Sequence, residues 1–403
     1  MKRSRAWWQE RTKGFIPEFA RVIEERLGAD TLEAVFLCGS FALGEETVVL
    51  ETEPPVLLSD VDLVAIVRSL DALSMWAPRR AELGAACESI MSDVRFSGRV
   101  DVGVMLAADL AALPPRPGVF DMRSSGRVLA GDPKILDLIP DYAPADMTVG
   151  EALILIENRI VALIGVRDAG GRTGADEFYG PWYGIARAYT DIATATLSVA
   201  GSYVPGYEAR RALVGIRRGA GDALVSRLVS PGLLAKIERW SRYKLEPSAE
   251  TVGAAPEPGA FAALWDEAAR DILYFWRQVA THLRFPLRDV SDPLPVDELA
   301  AGASAYRDWR SHVRGWKSLL ADLSVARRIA LVLSLGGRLV ARSPLETVRE
   351  AGVRLLDHRV RFGSGRPVRG AQGGFPYRTG SWGRAADELC AEWNRLVFGR
   401  AEG

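Results

Sequence analysis

The feature that most restricts this chain is a pair of aspartates one residue apart inside an apolar run, Asp60-Val61-Asp62-Leu63-Val64-Ala65-Ile66. Alternate residues of a strand share a face, so both carboxylates point the same way. A second run, Val100-Asp101-Val102-Gly103-Val104-Met105, sets a third aspartate among β-branched residues. Carboxylates on the buried edge of a sheet are costly unless a cation or donor balances them. Three of them in strand-like settings point to a metal site, and oxygen-only ligation suits Mg²⁺. Upstream, the apolar run Val35-Phe36-Leu37-Cys38 ends abruptly in Gly39-Ser40. Glycine lets backbone approach a phosphate closely, a helix start offers free N–H groups, and the serine hydroxyl adds a donor.

The pattern around these motifs predicts an α+β fold. Phe15, Phe19, Val22, Ile23 and Leu27 recur at helical steps between Trp7 and Leu27, with Gly28 as the stop. Val35–Cys38 reads as a buried strand, Phe41–Glu45 as a short helix and Asp60–Val67 as the next strand. Leu70–Met91 reads as one helix and Val94–Leu106 as one or two strands. Between motifs, Glu46–Ser59 is an extended excursion turning at Pro54-Pro55. Pro114–Gly118 marks a loop, followed by an edge strand over Phe120–Leu129 that ends at Gly131-Asp132-Pro133. Strands alternating with helices inside about 130 residues suggest an α/β or α+β domain with a mixed sheet over residues 1–145, the part in which the aspartates and the Gly-Ser turn are expected to place the catalytic chemistry.

After Asp146 the period changes. Leu153, Ile156, Ile160, Leu163 and Ile164, then Tyr183, Ile185, Ala186, Tyr189, Ile192, Ala193 and Leu197, show helical spacing. Residues 146–290 are expected to form a helical substrate-binding domain, with a flexible loop over Ser248–Gly259. Its aromatic-rich helix, Phe261–Leu283, is expected to place Trp265, Tyr274, Phe275 and Trp276 in the core. Pro286–Pro295 is a break. Residues 291–403 read as a helical, arginine-rich extension, helical over Ala300–Asp357, with a Gly/Arg loop at Arg361–Gly383 and a last helix at Ala385–Val397.

Net charge is zero, so no global field recruits nucleic acid or an anionic membrane. The neutrality hides an asymmetry: residues 1–145 carry 16 basic and 22 acidic side chains, whereas residues 301–403 carry 18 and nine. The amino-terminal part favours a cation and the carboxy-terminal part an anion. Cys38, Cys87 and Cys390 lack metal-type or disulfide-framework spacing and read as reduced thiols of a cytoplasmic protein. No run reaches the roughly 18–20 apolar residues of a membrane span, and the charged start is not followed by a signal-type apolar core.

Taken together, Gly39-Ser40-Phe41-Ala42-Leu43-Gly44-Glu45, then Ser59-Asp60-Val61-Asp62-Leu63 and Val100-Asp101-Val102, resemble the DNA polymerase β-like nucleotidyltransferase superfamily. The form followed by a helical domain is similar to its small bacterial members, the minimal and aminoglycoside nucleotidyltransferases. The resemblance covers roughly residues 30–135 and more loosely the helices to about 215. It implies two Mg²⁺ ions held by Asp60, Asp62 and Asp101, a nucleoside triphosphate at Gly39 and Ser40, and ATP as donor. Transfer of a nucleoside monophosphate to the hydroxyl of a small molecule would release pyrophosphate. One departure is the nineteen residues between Ser40 and Asp60, longer than the family's usual spacing. Alternatives are a protein acceptor, as in antitoxin-type adenylylating enzymes, and a nucleotide-binding regulator without catalysis.

Outside the motifs, Arg187, one turn after Tyr183, is the candidate to reach a phosphate across the inter-domain cleft, as a lysine on the corresponding helix does in similar enzymes. Its plain alternative is a surface arginine. Glu157 and Asp191 are inward-facing candidates for an acceptor-binding acid or an alternative base, set against a helix-capping or salt-bridge role. His282, His312 and His358 show no metal spacing. The stretch Arg359–Arg384, with seven glycines and Phe375, Tyr377 and Trp382 interleaved, has the charge and rings to hold phosphate or RNA backbone, but also the composition of a mobile loop. Nucleic acid is not the expected partner.

Overall fold

The computed structural model describes residues 4–167, 175–252, 258–286, 293–300, 343–363, 368 and 381–398. Helix α1 (Arg5–Leu27) begins where the Ser4 hydroxyl accepts the Trp7 N–H and ends at Gly28. Then follow β1 (Leu32–Cys38), α2 (Gly39–Leu43), β2 (Val48–Val49), β3 (Val56–Leu57) and β4 (Val61–Val67). The next elements are α3 (Leu70–Trp76), α4 (Arg80–Glu88), β5 (Arg95–Phe96), β6 (Val100–Leu106), α5 (Ala107–Ala111), α6 (Pro117–Ser125) and β7 (Arg127–Gly131).

The main sheet has the order β6-β4-β1-β7 and is mixed: β1 runs antiparallel to β4 and β7, while β4 and β6 are parallel. One face, including Val35, Leu37, Val61, Leu63 and Ala65, packs in a single core with residues of α1, α3 and α4. The other, with Ala34, Phe36, Val64 and Ile66, packs with Leu110, Val119, Ile135 and Ile139. Alternation puts Asp62 on this second face. Sliding β4 by one residue would drive its carboxylate into the α1 core while exposing side chains worth about 1.5–3 kcal/mol each, so burial fixes the register that aims it.

The Glu46–Ser59 excursion contains a hairpin, as its length permits. Strands β2 and β3 pair antiparallel, and β3 continues parallel to β5 as a second small sheet. Val48 and Leu57 join the core of the main sheet, whereas Val49, Val56 and Leu58 join the helical core.

That helical core is built from α7 (Val149–Gly165), α8 (Ala175–Val199), α9 (Tyr207–Gly219), α10 (Ala223–Leu228), α11 (Pro231–Leu245), α12 (Ala249–Val252), α13 (Pro258–Arg284) and α14 (Val296–Ala300). Helices α15 (Pro344–Phe362) and α16 (Trp382–Phe398) contribute Val348, Leu355, Trp382 and Leu389 to the same cluster. Trp182, Trp240 and Tyr189 stack in its middle. Among the described residues, no helix is long and apolar enough to cross a membrane.

Several expectations change. Residues 117–125 are helical, because Pro117 takes a first-turn position where its fixed φ and missing N–H cost nothing; the edge strand starts only at Arg127. The single helix over Leu70–Met91 is broken by a 3₁₀ turn at Ala77–Arg79 containing Pro78. Tyr274 is 42% exposed, since Trp265, Ala269, Ile272, Trp276 and Val279 occupy the inward stripe of α13 and residue 274 falls off it. Within Ser248–Gly259 the chain makes the short α12. His312, most of Ala300–Asp357 and most of the Gly/Arg loop lie outside the described residues.

Candidate active site

Strand β1 delivers the chain to the site and Gly39 turns it. Cys38 pairs with Asp62 across the sheet, and Gly39 follows with φ +66°, a left-handed conformation that favours glycine. A Cβ there would stand 2.3 Å from Asp62 Oδ2, so the Gly39 backbone lies directly against that carboxylate. Ser40 is 8% exposed in the first turn of α2. Gly39→Ala is therefore expected to lower stability by about 1–3 kcal/mol, from the φ penalty and the displaced carboxylate. Urea unfolding checks this, and a neutral substitution would show that the close approach is not retained in solution.

Strands β4 and β6 bring the aspartates together. Asp62 and Asp101 are directly paired across the parallel strands, and Asp60 precedes β4. Sequence reasoning did not name Arg99, which holds the group: its backbone N–H donates to Asp60 Oδ1 at 3.1 Å and its Nε to Asp101 Oδ2 at 2.7 Å. Its position two residues before Asp101 was the available signal, since the two side chains share a face. Burial, then Asp60 and Asp101, push the Asp62 carboxyl up to about 7, against the opposing pull of Arg187 and Arg99. Among the described residues, no three acidic, histidine or cysteine side chains form a ready metal cage. Burial, with Asp62 and Asp121 nearby, raises the Cys38 thiol far above its usual range, so it remains protonated and unreactive.

The helical half supplies cations opposite. Arg187 of α8 donates from Nη1 to Tyr183 Oη at 3.1 Å, and its buried Nε has no hydrogen-bond partner. Tyr183 Oη lies 3.3 Å from Ser59 Oγ, one residue before Asp60. Burial alone would raise the Tyr183 phenol, but Arg187 and Lys244 outweigh it and hold it below its ordinary value.

Lys244 of α11, also missed from sequence, is fully buried. Its Nζ donates to the Glu45 carbonyl at 2.8 Å, approaches Ser59 Oγ at 3.5 Å and lies over the Tyr207 ring at 4.6 Å. Burial and the neighbouring Arg187 depress it to about 8. Its signal was a lysine one step beyond the inward positions Ile237, Trp240 and Ser241 of α11.

Glu45, the last residue of the Gly-Ser motif, joins the halves. Its carboxylate accepts from the Tyr207 N–H at 2.6 Å and the Glu208 N–H at 3.3 Å, capping α9, whose own N-cap is the side-chain-less Gly206. Nearby, Arg210 of α9 pairs with Asp121 of α6 and also donates to Tyr203 Oη and the Val204 carbonyl.

Glu157 and Asp191 are both engaged in the helical core. Asp191 pairs with Arg159 at 2.6 Å, and Glu157 accepts from Trp276 Nε1 at 3.1 Å. His282 lies on α13 and His358 on α15, and among the described residues neither belongs to a group of three metal-ligating side chains. Asp60, Asp62, Asp101, Gly39 and Ser40 thus gather at one end of the main sheet, with Arg187 and Lys244 opposite. Compared with known proteins, the chain matches no family model, no curated protein and no solved structure.

Proposed function

We infer that this protein is a Mg²⁺-dependent nucleotidyltransferase that moves a nucleoside monophosphate, with ATP as donor, to a hydroxyl of a small molecule. The observation that carries the reading is the in-register Asp62–Asp101 pair with Asp60 beside it, within electrostatic reach of Arg187, while Lys244 approaches Ser59, the residue before Asp60. The donor set fits Mg²⁺: three carboxylates, no imidazole, and the thiol held protonated. Burial first, and then repulsion from Asp60 and Asp101, raise Asp62, a condition that a bound cation would relieve. Asp60, Asp62 and Asp101 would hold the ions, which when bound stabilise charge on the transferring phosphoryl group and lower the acceptor hydroxyl's pKa.

The chain's own groups do the rest. The Gly39 backbone and Ser40 hydroxyl border the triphosphate. Arg187, with its partnerless Nε, and Lys244 neutralise it from the helical side. Arg99 fixes the orientation of Asp101, which accepts the acceptor hydroxyl's proton. Lys244→Met is expected to raise KM for ATP about 10–100-fold, the loss of one charge-assisted contact, and to cost about 1–3 kcal/mol of stability because the Glu45 carbonyl loses its buried donor. A KM within twofold of wild type would remove Lys244 from the nucleotide site.

The deciding experiment incubates the protein with α-labelled ATP, Mg²⁺ and a panel of hydroxylated small molecules, alongside whole-cell extract. Label on a small product, with pyrophosphate release that Asp60→Asn abolishes, supports the reading. Label on protein shifts the acceptor to the adenylylation alternative. ATP binding with no release across the panel and extract counts against transferase activity.

A further inference from the structure

A cavity of about 660 Å³ lies in the helical half between α13, α15 and the corner joining α10 to α11. This volume is in the range of small-molecule sites. Arg270, Tyr274, Arg277 and Gln278 line it from one stripe of α13, with Asp357, Val360 and Arg361 from one stripe of α15. Arg227 of α10 closes a third side.

Its charges do not cancel. Of the two acids, Asp271 is engaged by Lys236 at 2.7 Å and Tyr189 at 2.7 Å, and Asp357 by Arg361 at 3.0 Å. Arg277 donates to the Leu294 and Pro293 carbonyls and is attracted to the Asp357 carboxylate, which Arg361 already engages. Among the described residues, the Arg227 guanidinium bonds to a carbonyl of its own helix, at Ala223. The guanidinium groups of Arg227, Arg270 and Arg277 thus face a cavity with no free carboxylate among its lining residues.

Gln278 supplies the second, independent observation. It is 2% exposed, and its Nε2 donates to the Arg227 carbonyl at 3.0 Å, but its Oε1 is buried without a hydrogen-bond partner. An unpaired buried acceptor costs about 1–3 kcal/mol unless a donor reaches it. The 15-residue helix α11 also begins here, at Ser230, adding the positive end of its dipole. The exposed side of Tyr274 and the Val360 side chain give the same cavity a flat, apolar wall.

We propose that this cavity binds a nucleoside monophosphate: phosphate on the Arg227–Arg270–Arg277 side, a base or ribose donor toward Gln278 Oε1, and the ring against Tyr274. Guanidinium forks match phosphate, and an aromatic face suits a base. The site is separate from the aspartate cleft and does not rest on the transferase reading.

The test measures AMP binding to the full-length protein by calorimetry in EDTA, where metal-dependent binding at the aspartates is suppressed. Wild type, Asp60→Asn, Arg227→Ala/Arg270→Ala and Gln278→Leu are compared, with inorganic phosphate as a second titrant. AMP is expected to bind wild type and Asp60→Asn alike, at least tenfold tighter than phosphate. The double variant, altered only at exposed positions, should bind at least tenfold more weakly, and Gln278→Leu should weaken AMP but not phosphate. Failure of AMP to bind, equal affinity for AMP and phosphate, or unchanged affinity in the double variant would each overturn the proposal. If labelled transfer fails while this binding pattern holds, only the transferase reading falls.

Discussion

Asp62→Asn is expected to stabilise the protein at pH 8 while eliminating nucleotidyl transfer. The folded state holds the Asp62 carboxyl at about 7, against an unperturbed 3.8, because burial and two neighbouring carboxylates disfavour its charge. A carboxyl raised on folding contributes full stability only below its unfolded value. That contribution is lost as pH climbs through the folded value, so ionised Asp62 is a standing penalty above pH 7. Three pH units correspond to about 4 kcal/mol. Solvent screening at the half-buried carboxylate reduces this to about 1–3 kcal/mol. The gain should shrink below pH 7 and vanish near pH 4, where the wild-type carboxyl is already neutral. Urea midpoints of both proteins at pH 4, 6 and 8 without metal measure it. A variant no more stable than wild type at pH 8 would contradict the charge crowding. Asparagine keeps the shape but not the negative charge, so transfer should fall at least 10³-fold.

Arg210→Met should be among the most damaging single substitutions, at about 3–5 kcal/mol. Arg210 is 4% exposed and pairs with Asp121, whose other oxygen, Oδ1, is buried without a hydrogen-bond partner. Removing the guanidinium strands an anion that burial already pushes toward neutrality. It also detaches α6, under the main sheet, from α9 of the helical half. Adding Asp121→Leu should recover most of the loss, because an apolar pair of similar bulk leaves no buried charge. The double-mutant cycle separates the two effects: a single variant within 1 kcal/mol of wild type would mean the pair is solvated.

The sheet end of the site was legible because its determinants are local. Period-two alternation sets the face of Asp62 and Asp101, and a glycine after a short apolar run marks the Gly39 turn. The opposite wall was not. Lys244 is distant from Ser59 in sequence, and only packing of α11 against the hairpin makes them neighbours. Arg187 was visible as a candidate; the phenol and lysine around it depend on how three helices meet. The misread strand at Phe120–Leu129 reflects a choice between the apolar, strand-like run Val128-Leu129 and the first-turn preference of Pro117, which prevailed upstream.

The hairpin from Thr47 to Leu58 gives neighbouring side chains to different cores: Val48 and Leu57 to one, Val49 and Val56 to the other. Neither half can melt without baring apolar surface on this shared strip, which couples their stabilities. Heat should therefore unfold the sheet half and the helical half as one cooperative unit, not in succession. The extra residues between the Gly-Ser turn and the aspartate pair serve as the thermodynamic splice that keeps the carboxylates and the opposing cations in one folding unit.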